Sequence, residues 1–375
     1  MEAPPALANP LIIDNGSGMI KAGIGGETAP RAVFPTLIGR PKTTSGMPMM
    51  AGKGEYIGDE AMSKKGVLKL EFPVENGIVK NWDAMISIWT HTFFNEVRIS
   101  PEDAPVMITD SDRDPKVNKE KIAQIMFEKM KTPALFLVNP GILSLYASAI
   151  ITGTAVDCGD CVTLCVPGDQ GMADTKAMKK KYFGGRNLTQ YLIQLLNEKE
   201  NRFQTASEQY GVKVIKEETC FVALDPKEAE KTTPAHKYIL PDGTDLSLTN
   251  ERYMCPESIF HPQVAFGKVE EGLHEFVMNS IMKCEESMRA PLLANVVLAG
   301  GSTMFPGMPE RLEKELNAIA PEGMKVQVKA PKNRKYSAWL GGSVMSTLST
   351  FKNLWLTKKE YEESGPGILA AKFPV

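Results

Sequence analysis

Two short polar turns, each placed directly after an apolar segment, constrain this sequence more than any other feature. The turns are Asp14–Gly18 and Asp157–Cys161, and each contains Asp-x-Gly. The apolar segments that flank them are Leu11–Ile13, Met19–Ile24, Thr154–Val156 and Val162–Val166. An apolar run that ends in such a turn and then resumes predicts a β-hairpin. The repeat therefore predicts two related halves with one hairpin each.

The residues of these turns suit phosphate and a metal ion. Glycines let backbone N–H groups approach a phosphate closely, and the Ser17 hydroxyl can donate a further hydrogen bond. Asp14 would repel phosphate, so its expected role is to hold the divalent cation that neutralises a nucleotide. Lys21 is close enough in sequence to add a cationic contact. The alternative is an ordinary Asp/Asn-Gly hairpin without a ligand.

A third glycine segment, Gly300–Ser302, follows the apolar segment Val296–Leu298. It suits close approach to the nucleoside or the α-phosphate, and the alternative is simple turn chemistry. Three such segments, each at the end of a predicted strand, favour a nucleotide site. Two of them on opposite sides would clamp a phosphate tail.

Length and composition narrow the class of protein. The 375 residues exceed what one core usually holds, so two or more domains are expected. A net charge of −2 argues against a nucleic-acid-binding protein. No apolar run reaches the ~18 residues of a membrane span, and the first ten residues do not resemble a secretory signal. Scattered cysteines indicate free thiols, so a cytoplasmic or nuclear location is expected.

Hydrophobic periodicity and breaker residues predict the remaining elements. Asn118 and Asn139 are the predicted N-caps of two helices, and Pro140 fits a first helical position. The predicted helices are Trp82–Phe94, Asn118–Met130, Gly141–Ile150, Asn187–Leu196 and Ser337–Leu348. The predicted loops are Pro41–Gly54 and Pro226–Lys237. Strands and helices alternate along both halves, which predicts an α/β fold.

Longer segments show which family the chain resembles. They are Ile13–Gly18, Pro30–Pro35, Gly39–Pro41, Tyr56–Glu60, Ser144–Ser148, Leu240–Gly243, Ser280–Cys284, Arg334–Ser337 and Trp355–Pro366. These segments resemble actin, and the resemblance runs from about Leu11 to Gly367. It is specific to actins and actin-related proteins, which argues against a sugar kinase of the same superfamily.

The resemblance implies an actin-like ATPase fold, with two related α/β domains around a nucleotide cleft and four subdomains. The implied domains are residues 1–147 plus 337–375, with a small subdomain at 36–72, and residues 148–336, with a small subdomain at 184–269. ATP or ADP is the implied cofactor, together with Mg²⁺ or Ca²⁺, and Asp14 and Asp157 are the implied metal-binding residues. An actin-like chain is expected in the cytoplasm as part of the cytoskeleton.

The resemblance also assigns the nucleotide site residue by residue. The phosphate- and cation-binding residues are Asp14, Gly16, Ser17, Gly18, Lys21, Asp157, Gly159, Asp160 and Cys161. The adenosine-binding residues are Gly185, Lys213, Lys216, Glu217, Gly301, Ser302, Met304, Phe305 and Lys335. Lys213 stands where the family usually has Arg, and Phe305 stands where it usually has Tyr. Cys161 replaces a Gly of the second phosphate loop.

Two departures concern hydrolysis, which needs a positioned water and a group that relays its proton. The family has Gln at the position of Pro140 and His at that of Leu164. Neither Pro nor Leu can orient water, so none of the family's catalytic residues is intact. We therefore expect ATP to be bound and hydrolysed very slowly or not at all.

Assembly surfaces are partly retained. The Pro41–Gly54 segment carries Met47, Met49 and Met50, whose thioethers suit insertion into a neighbouring subunit, and its alternative is a plain surface loop. The segment around His261–Gly267 has one residue more than the family pattern and keeps an apolar tip. Head-to-tail contact between copies would build an open filament. The implied partners are copies of the chain or conventional actin, with profilin or cofilin as candidate actin-binding proteins.

Two other signals are given little weight. The crowded thiols Cys158, Cys161 and Cys165 resemble half of a zinc site but lack nearby partner ligands. The run Lys179–Lys181 is interpreted as a solvated face rather than a nucleic-acid patch.

Two functional hypotheses remain. The first is an ATP-binding, actin-like subunit of a filament or actin-containing complex. The second is a non-hydrolysing actin-related scaffold that forms no long filaments.

Overall fold

The computed structural model of the chain describes residues 9–42, 53–110, 115–199, 202–267 and 270–373. Its internal contacts divide the chain into two compact units. The first comprises Met1–Ile151 with Tyr336–Val375, and the second comprises Thr152–Lys335. The first unit thus takes residues from both ends of the sequence. The domain limits and inserted subdomains implied by the resemblance stay a prediction.

The strands of the described ranges are short. They are β1 (Leu11–Asn15), β2 (Met19–Ile24), β3 (Ala32–Pro35), β4 (Ile38–Pro41), β5 (Tyr56–Ile57), β6 (Leu68–Glu71), β7 (Val74–Glu75), β8 (Ile78–Val79), β9 (Val106–Thr109), β10 (Ala134–Val138), β11 (Gly153–Cys158), β12 (Thr163–Asp169), β13 (Met172–Ala173), β14 (Lys179–Lys181), β15 (His236–Ile239), β16 (Asp245–Leu248), β17 (Val296–Ala299), β18 (Val328–Lys329) and β19 (Leu356–Thr357).

The α-helices lie between and around these strands. They are α1 (Gly58–Ser63), α2 (Trp82–His91), α3 (Pro115–Gln124), α4 (Pro140–Ala147), α5 (Gly185–Lys199), α6 (Ala206–Thr219), α7 (Pro226–Thr232), α8 (Glu251–Glu257), α9 (Gln263–Phe266), α10 (Leu273–Ile281), α11 (Glu286–Leu293), α12 (Met308–Ile319), α13 (Ser337–Ser346), α14 (Lys358–Ser364) and α15 (Ile368–Lys372).

The main sheet of the first unit has the strand order β19-β10-β9-β1-β2-β3. Strands β1 and β2 form the predicted antiparallel hairpin around the Asp14–Gly18 turn. Strand β9 runs parallel to β1, with Ile13 opposite Ile108. The carboxyl ends of β1 and β9 therefore meet at one edge of the sheet, which places Asp14 beside Thr109.

The main sheet of the second unit repeats this arrangement in the order β13-β12-β11-β17-β18, with β14 also paired to β12. Strands β11 and β12 form the second predicted hairpin, and β17 runs parallel to β11. Asp157 lies opposite Ala299, so it ends β11 beside Gly300. The predicted pair of related halves corresponds to this repeated hairpin with its parallel neighbour.

Each sheet belongs to a separate hydrophobic core. In the first unit, Leu11, Ile13 and Ile108 pack with Trp89 in a cluster of fully buried side chains. In the second unit, Val156 and Leu298 pack with residues of α5, α10 and α12. Apolar residues on both faces of the central strands keep the turns at their ends in place.

Helices α4 and α13 approach each other very closely within the first unit. A Cβ atom added to Gly341 would lie 1.7 Å from the Leu143 carbonyl oxygen. No side chain fits at that distance, so the crossing depends on glycine. Trp339 lies two residues before Gly341 on the same helix, and its Nε1 donates to the Ile12 carbonyl at 3.2 Å. Helix α13 is therefore fixed against both α4 and strand β1.

Several predicted elements are confirmed and others are wrong. Asn139 caps α4, accepting from the Gly141 N–H at 2.8 Å, with Pro140 in the first turn. Asn118 is not an N-cap, because α3 already begins at Pro115. The predicted Trp82–Phe94 helix gives way after His91 to a π-helical segment, Thr92–Val97.

The segment Pro226–Lys237 was predicted to be a loop, and this prediction is wrong. It contains helix α7 and the beginning of β15. The Asp225 side chain accepts from the Lys227 and Glu228 N–H groups and caps α7, and Pro226 occupies the first turn. The predicted loop Pro41–Gly54 lies mostly outside the described residues, and Pro41 itself ends β4.

Candidate functional site

The Asp14 carboxylate is held on two sides at the carboxyl end of β1. Thr109 donates from Oγ1 to Asp14 Oδ1 at 3.0 Å, and Lys21 donates from Nζ to Oδ2 at 2.9 Å. The same Thr109 oxygen accepts from the Asn15 backbone N–H at 2.8 Å. Asp14 is 7% exposed. It is therefore a fixed, nearly buried anion with lone pairs left for a further ligand.

The turn after Asp14 is shaped by its backbone. A Cβ atom on Gly16 would lie 2.6 Å from the Met19 carbonyl oxygen and 3.5 Å from Lys21 Nζ. Thr36 donates from Oγ1 to the Gly16 carbonyl at 2.7 Å, and its own N–H donates to the Gly18 carbonyl at 3.1 Å. Ser17 is partly exposed. The lysine ammonium thus lies beside a position where only glycine fits, and together they form a cationic cradle.

Asp157 occupies the equivalent place in the second unit. A Cβ atom on the neighbouring Gly300 would lie 2.3 Å from Asp157 Oδ1, and Gly300 has φ +86°. Both the contact and the left-handed backbone require glycine at this position. Leu164, opposite Asp157 in the hairpin register, is 3% exposed. An apolar side chain therefore stands beside the second aspartate.

The second turn is joined to the start of α5. The Gly185 and Arg186 N–H groups donate to the Gly159 and Asp160 carbonyls at 3.0 and 2.8 Å. Arg186 also forms an ion pair with Asp160, with 3.0 Å between Nη2 and Oδ2. The Cys161 thiol donates to the same oxygen, Asp160 Oδ2, at 3.6 Å. Asp160 is therefore positioned by its own helix contact rather than free to bind a ligand alone.

Lys216 is a buried cation beside the Gly185 position. It donates from Nζ to the Gly185 carbonyl at 2.6 Å and to Thr189 Oγ1 at 2.9 Å. Burial lowers the pKa of Lys216. A Cβ atom on Gly185 would lie 2.8 Å from Ser302 Oγ and 3.4 Å from Lys216 Nζ. These predicted site residues meet in one place, and two of the three ammonium protons have acceptors.

The third predicted segment closes against the same loop. Ser302 donates from Oγ to the Gly159 carbonyl at 2.8 Å. Phe305 packs into the core of the second unit and is 6% exposed, while Gly301 and Lys335 are exposed. Lys213 and Glu217 lie one turn apart on α6, and the distance between Lys213 Nζ and Glu217 Oε1 is 4.0 Å. The second unit therefore gathers Asp157, Gly159, Asp160, Gly185, Lys216 and Ser302 around one concave backbone region.

The family model described as actin matches residues 7–374, which is nearly the whole chain. The chain belongs to the actin family.

The residues of this actin-family chain fit a nucleotide with a divalent cation. Lysine and glycine lie together at the first turn, and an aspartate is the second-last residue of the central strand in each unit, buried at Asp14 and partly exposed at Asp157. The described residues contain no group of three or more His, Cys, Asp or Glu side chains that could hold a metal ion. A cation here would therefore take most of its ligands from phosphate and water.

The positions expected to handle water in the actin family carry no suitable group. Pro140 is buried at the start of α4, and its carbonyl accepts from Ser144 Oγ at 2.9 Å. Leu164 belongs to the buried face of β12. Both side chains contribute to packing in their own units.

The crowded thiols belong to the interior of the second unit. Cys158, Cys161 and Cys165 are buried and form no disulfide among the described residues. Burial raises the pKa of Cys158 and of Cys165 to about 12, so both stay protonated near neutral pH. Protonated thiols are poor metal ligands. None of the described helices is long and apolar enough to cross a membrane.

The run Lys179–Lys181 was interpreted as a solvated face, and the structure corrects this. It forms strand β14 against β12, because its side chains have anionic partners. Lys179 pairs with Glu271 at 2.5 Å, and Lys181 pairs with Glu270 at 3.4 Å. These contacts fix the chain just before α10.

Sequence reasoning missed Thr36, Thr109 and Arg186. Thr36 and Thr109 contact the first turn from later strands, and Arg186 contacts the second turn from helix α5. The position of Thr109 at the end of an apolar strand was the only local signal.

Proposed function

We propose that this actin-family chain binds ATP or ADP with Mg²⁺ or Ca²⁺ through the two aspartate turns. The fixed Asp14 carboxylate carries the proposal, because Thr109 and Lys21 hold it near a strand end, and Lys21 lies beside the glycine turn at Gly16. The repetition of this arrangement at Asp157 and Gly300 supports it. Bound nucleotide would supply phosphate oxygens to the cation, and the protein would orient them.

Within this proposal, the residues divide by role. Asp14 and Asp157 hold the hydrated cation. The phosphates are bound by Lys21 and by the two turns that contain Gly16, Ser17, Gly18, Gly159, Asp160 and Cys161. Adenosine is bound by Gly185, Lys213, Lys216, Glu217, Gly301, Ser302, Met304, Phe305 and Lys335.

Nucleotide binding is tested by titrating the purified protein with Mg-ATP and by measuring its nucleotide content by chromatography. Asp14→Asn keeps the shape of the side chain but removes its charge, so it should weaken Mg-ATP binding about tenfold or more. Asp169→Asn is the matched control, because Asp169 also accepts from a threonine, Thr152, but on the surface. Wild-type protein that binds no nucleotide at millimolar Mg-ATP would contradict the proposal.

We propose further that turnover is very slow, since Pro140 and Leu164 cannot orient water. Phosphate release from Mg-ATP should fall well below that of conventional actin. The double variant Pro140→Gln and Leu164→His restores both side chains and should raise the rate, while Leu164→Met serves as the packing control. Release by the wild type at the rate of conventional actin would refute this part.

The cellular role we propose is that of a cytoskeletal subunit in the cytoplasm, joined head to tail with its own copies or with conventional actin. The supporting surface is α9, where Val264 is 52% exposed and Phe266 packs against Phe183 and Tyr191. High-speed pelleting with and without Mg-ATP tests assembly. A chain that binds ATP but stays in the supernatant, alone and with conventional actin, would be a scaffold instead.

A further inference from the structure

Arg334 is a buried cation that is hydrogen-bonded to one short backbone segment of the second unit. Its guanidinium donates to the Thr303 carbonyl from Nη2 at 2.8 Å and from Nε at 3.3 Å. Nε also reaches Thr303 Oγ1 at 3.2 Å, and Nη1 reaches the Pro331 carbonyl at 3.2 Å. In return, the Arg334 carbonyl accepts from the Gly300 N–H at 3.1 Å. The arginine therefore contacts the segment Gly300–Met304 from both ends.

All of these acceptors are neutral. Arg334 is 8% exposed, and no carboxylate of the described residues forms an ion pair with it. Burial lowers the pKa of Arg334, and Glu310 opposes this only through its longer-range charge. Arg311 shows the contrast, because it is 2% exposed but paired with Glu257 and Glu315. A buried charge without a counter-ion is costly, so Arg334 depends on its hydrogen bonds to the Thr303 and Pro331 carbonyls to stay in place.

The opposite side of the same segment faces the second aspartate turn. Ser302 donates to the Gly159 carbonyl, and Gly300 lies against the Asp157 carboxylate. Thr303 links the two sides, since it donates from Oγ1 to the Gly300 carbonyl at 2.7 Å. The segment is thus held between Arg334 and the proposed phosphate loop.

We propose that Arg334 is a positioning residue that fixes Gly301–Met304 for the nucleoside half of the ligand. This inference rests on the proposed nucleotide binding. It predicts that the affinity for ATP depends on Arg334, whereas the affinity for inorganic triphosphate does not. The phosphate-binding turns keep their own contacts when Arg334 is changed.

The test measures Mg-ATP and inorganic Mg-triphosphate affinities by calorimetry on the full chain. Arg334→Gln should weaken ATP binding about tenfold or more and change triphosphate binding by less than about threefold. Arg334→Lys keeps the charge with fewer donors and should recover part of the ATP affinity. Arg289→Gln is the matched control, because Arg289 also donates to a carbonyl, that of Cys284.

Each outcome decides the inference. Equal losses for ATP and triphosphate, or no loss for either, would overturn it, even where the variant melts earlier. If Arg334→Gln does not fold, Thr303→Val removes the hydroxyl that joins Arg334 to Gly300 and should produce the same difference between ATP and triphosphate. A wild type that binds neither ligand would refute the proposed function itself, and the inference with it.

Discussion

Thr109 lies 95 positions away from the aspartate that it orients. It supplies one hydroxyl that donates to Asp14 and accepts from Asn15, so it fixes both the charge and the start of the turn. A single side chain of this kind determines whether a carboxylate points toward a ligand or is free to rotate. Its importance becomes visible only when β9 is placed beside β1.

We expect Thr109→Val to weaken Mg-ATP binding about tenfold, because Asp14 loses a hydrogen bond and the Asn15 N–H loses its acceptor. The change keeps the volume of the side chain, so cavity effects are small. Calorimetric titration with Mg-ATP measures the effect. Thr347→Val is the control, because the Thr347 hydroxyl bonds only to a nearby carbonyl at the surface. Unchanged affinity for Thr109→Val would contradict an orienting role.

His274 predicts a pH dependence of stability. Burial lowers the pKa of His274 below 6.5, with Glu315 and Glu275 opposing that shift and His261 and Arg311 adding to it. Because the folded state disfavours the charged ring, the stability of the neutral form is complete above pH 6.5 and is lost as pH falls toward the folded pKa. The ring also has Nδ1 buried without a hydrogen-bond partner among the described residues.

The measurement is urea unfolding between pH 7.5 and 5.5. As the pH is lowered, the free energy of unfolding should fall more steeply in the wild type than in His274→Phe. This variant keeps the aromatic contact with Phe260. His236→Phe, at an exposed position of β15, should follow the wild-type slope. Parallel slopes for the wild type and His274→Phe would show that this ring does not titrate as expected.

At the scale of elements, local sequence predicted the hairpins and the cap of α4 well. Asp-x-Gly between apolar runs and Asn before Pro act through neighbouring backbone, so a few residues suffice. The failures have physical reasons as well. Asn118 satisfies an N-cap pattern, but Pro115 already begins that helix. Helix α7 is polar, and the Asp225-Pro226 cap that marks it was interpreted as a breaker.

The crossing of α4 and α13 gives the element-scale prediction. Gly341→Ala should lower the free energy of unfolding by about 2 kcal/mol or more, because its Cβ would meet the Leu143 backbone, which has no rotamer to change. Thermal unfolding measures the loss. Gly367→Ala has open space around its Cβ and should change stability little. Equal effects of the two changes would argue against the close crossing.

At the scale of the whole molecule, the matched turns predicted duplication, and the resemblance implied that residues 337–375 join the first domain. The matched turns indicated two halves, and the repeated hairpin with a parallel third strand is what they share. Strand order, the contribution of Arg334 and the return of the last forty residues to the first unit depend on long-range contacts. No local pattern encodes those contacts, so the strand order and the contacts of Arg334 are known only from the folded chain.

The end of the described chain tests that return. Phe373 is 5% exposed and packs edge to face on Phe136, and its carbonyl accepts from the buried Lys119 ammonium at 3.0 Å. Phe373→Ala should cost about 3 kcal/mol of unfolding free energy, because it leaves a cavity under a buried cation. Calorimetry measures this. Phe94→Ala, at a 56% exposed ring, should cost far less. A similar cost for both would mean that the terminal segment contributes little.

The free, buried cysteines have a practical consequence. All six belong to the second unit, whereas all four tryptophans, at 82, 89, 339 and 355, belong to the first. Indole fluorescence therefore reports on one unit, and the rate at which a thiol reagent reacts reports on the other. A single denaturant series on unlabelled protein can record two unfolding curves at once. Their midpoints would show directly whether the units unfold together or one after the other.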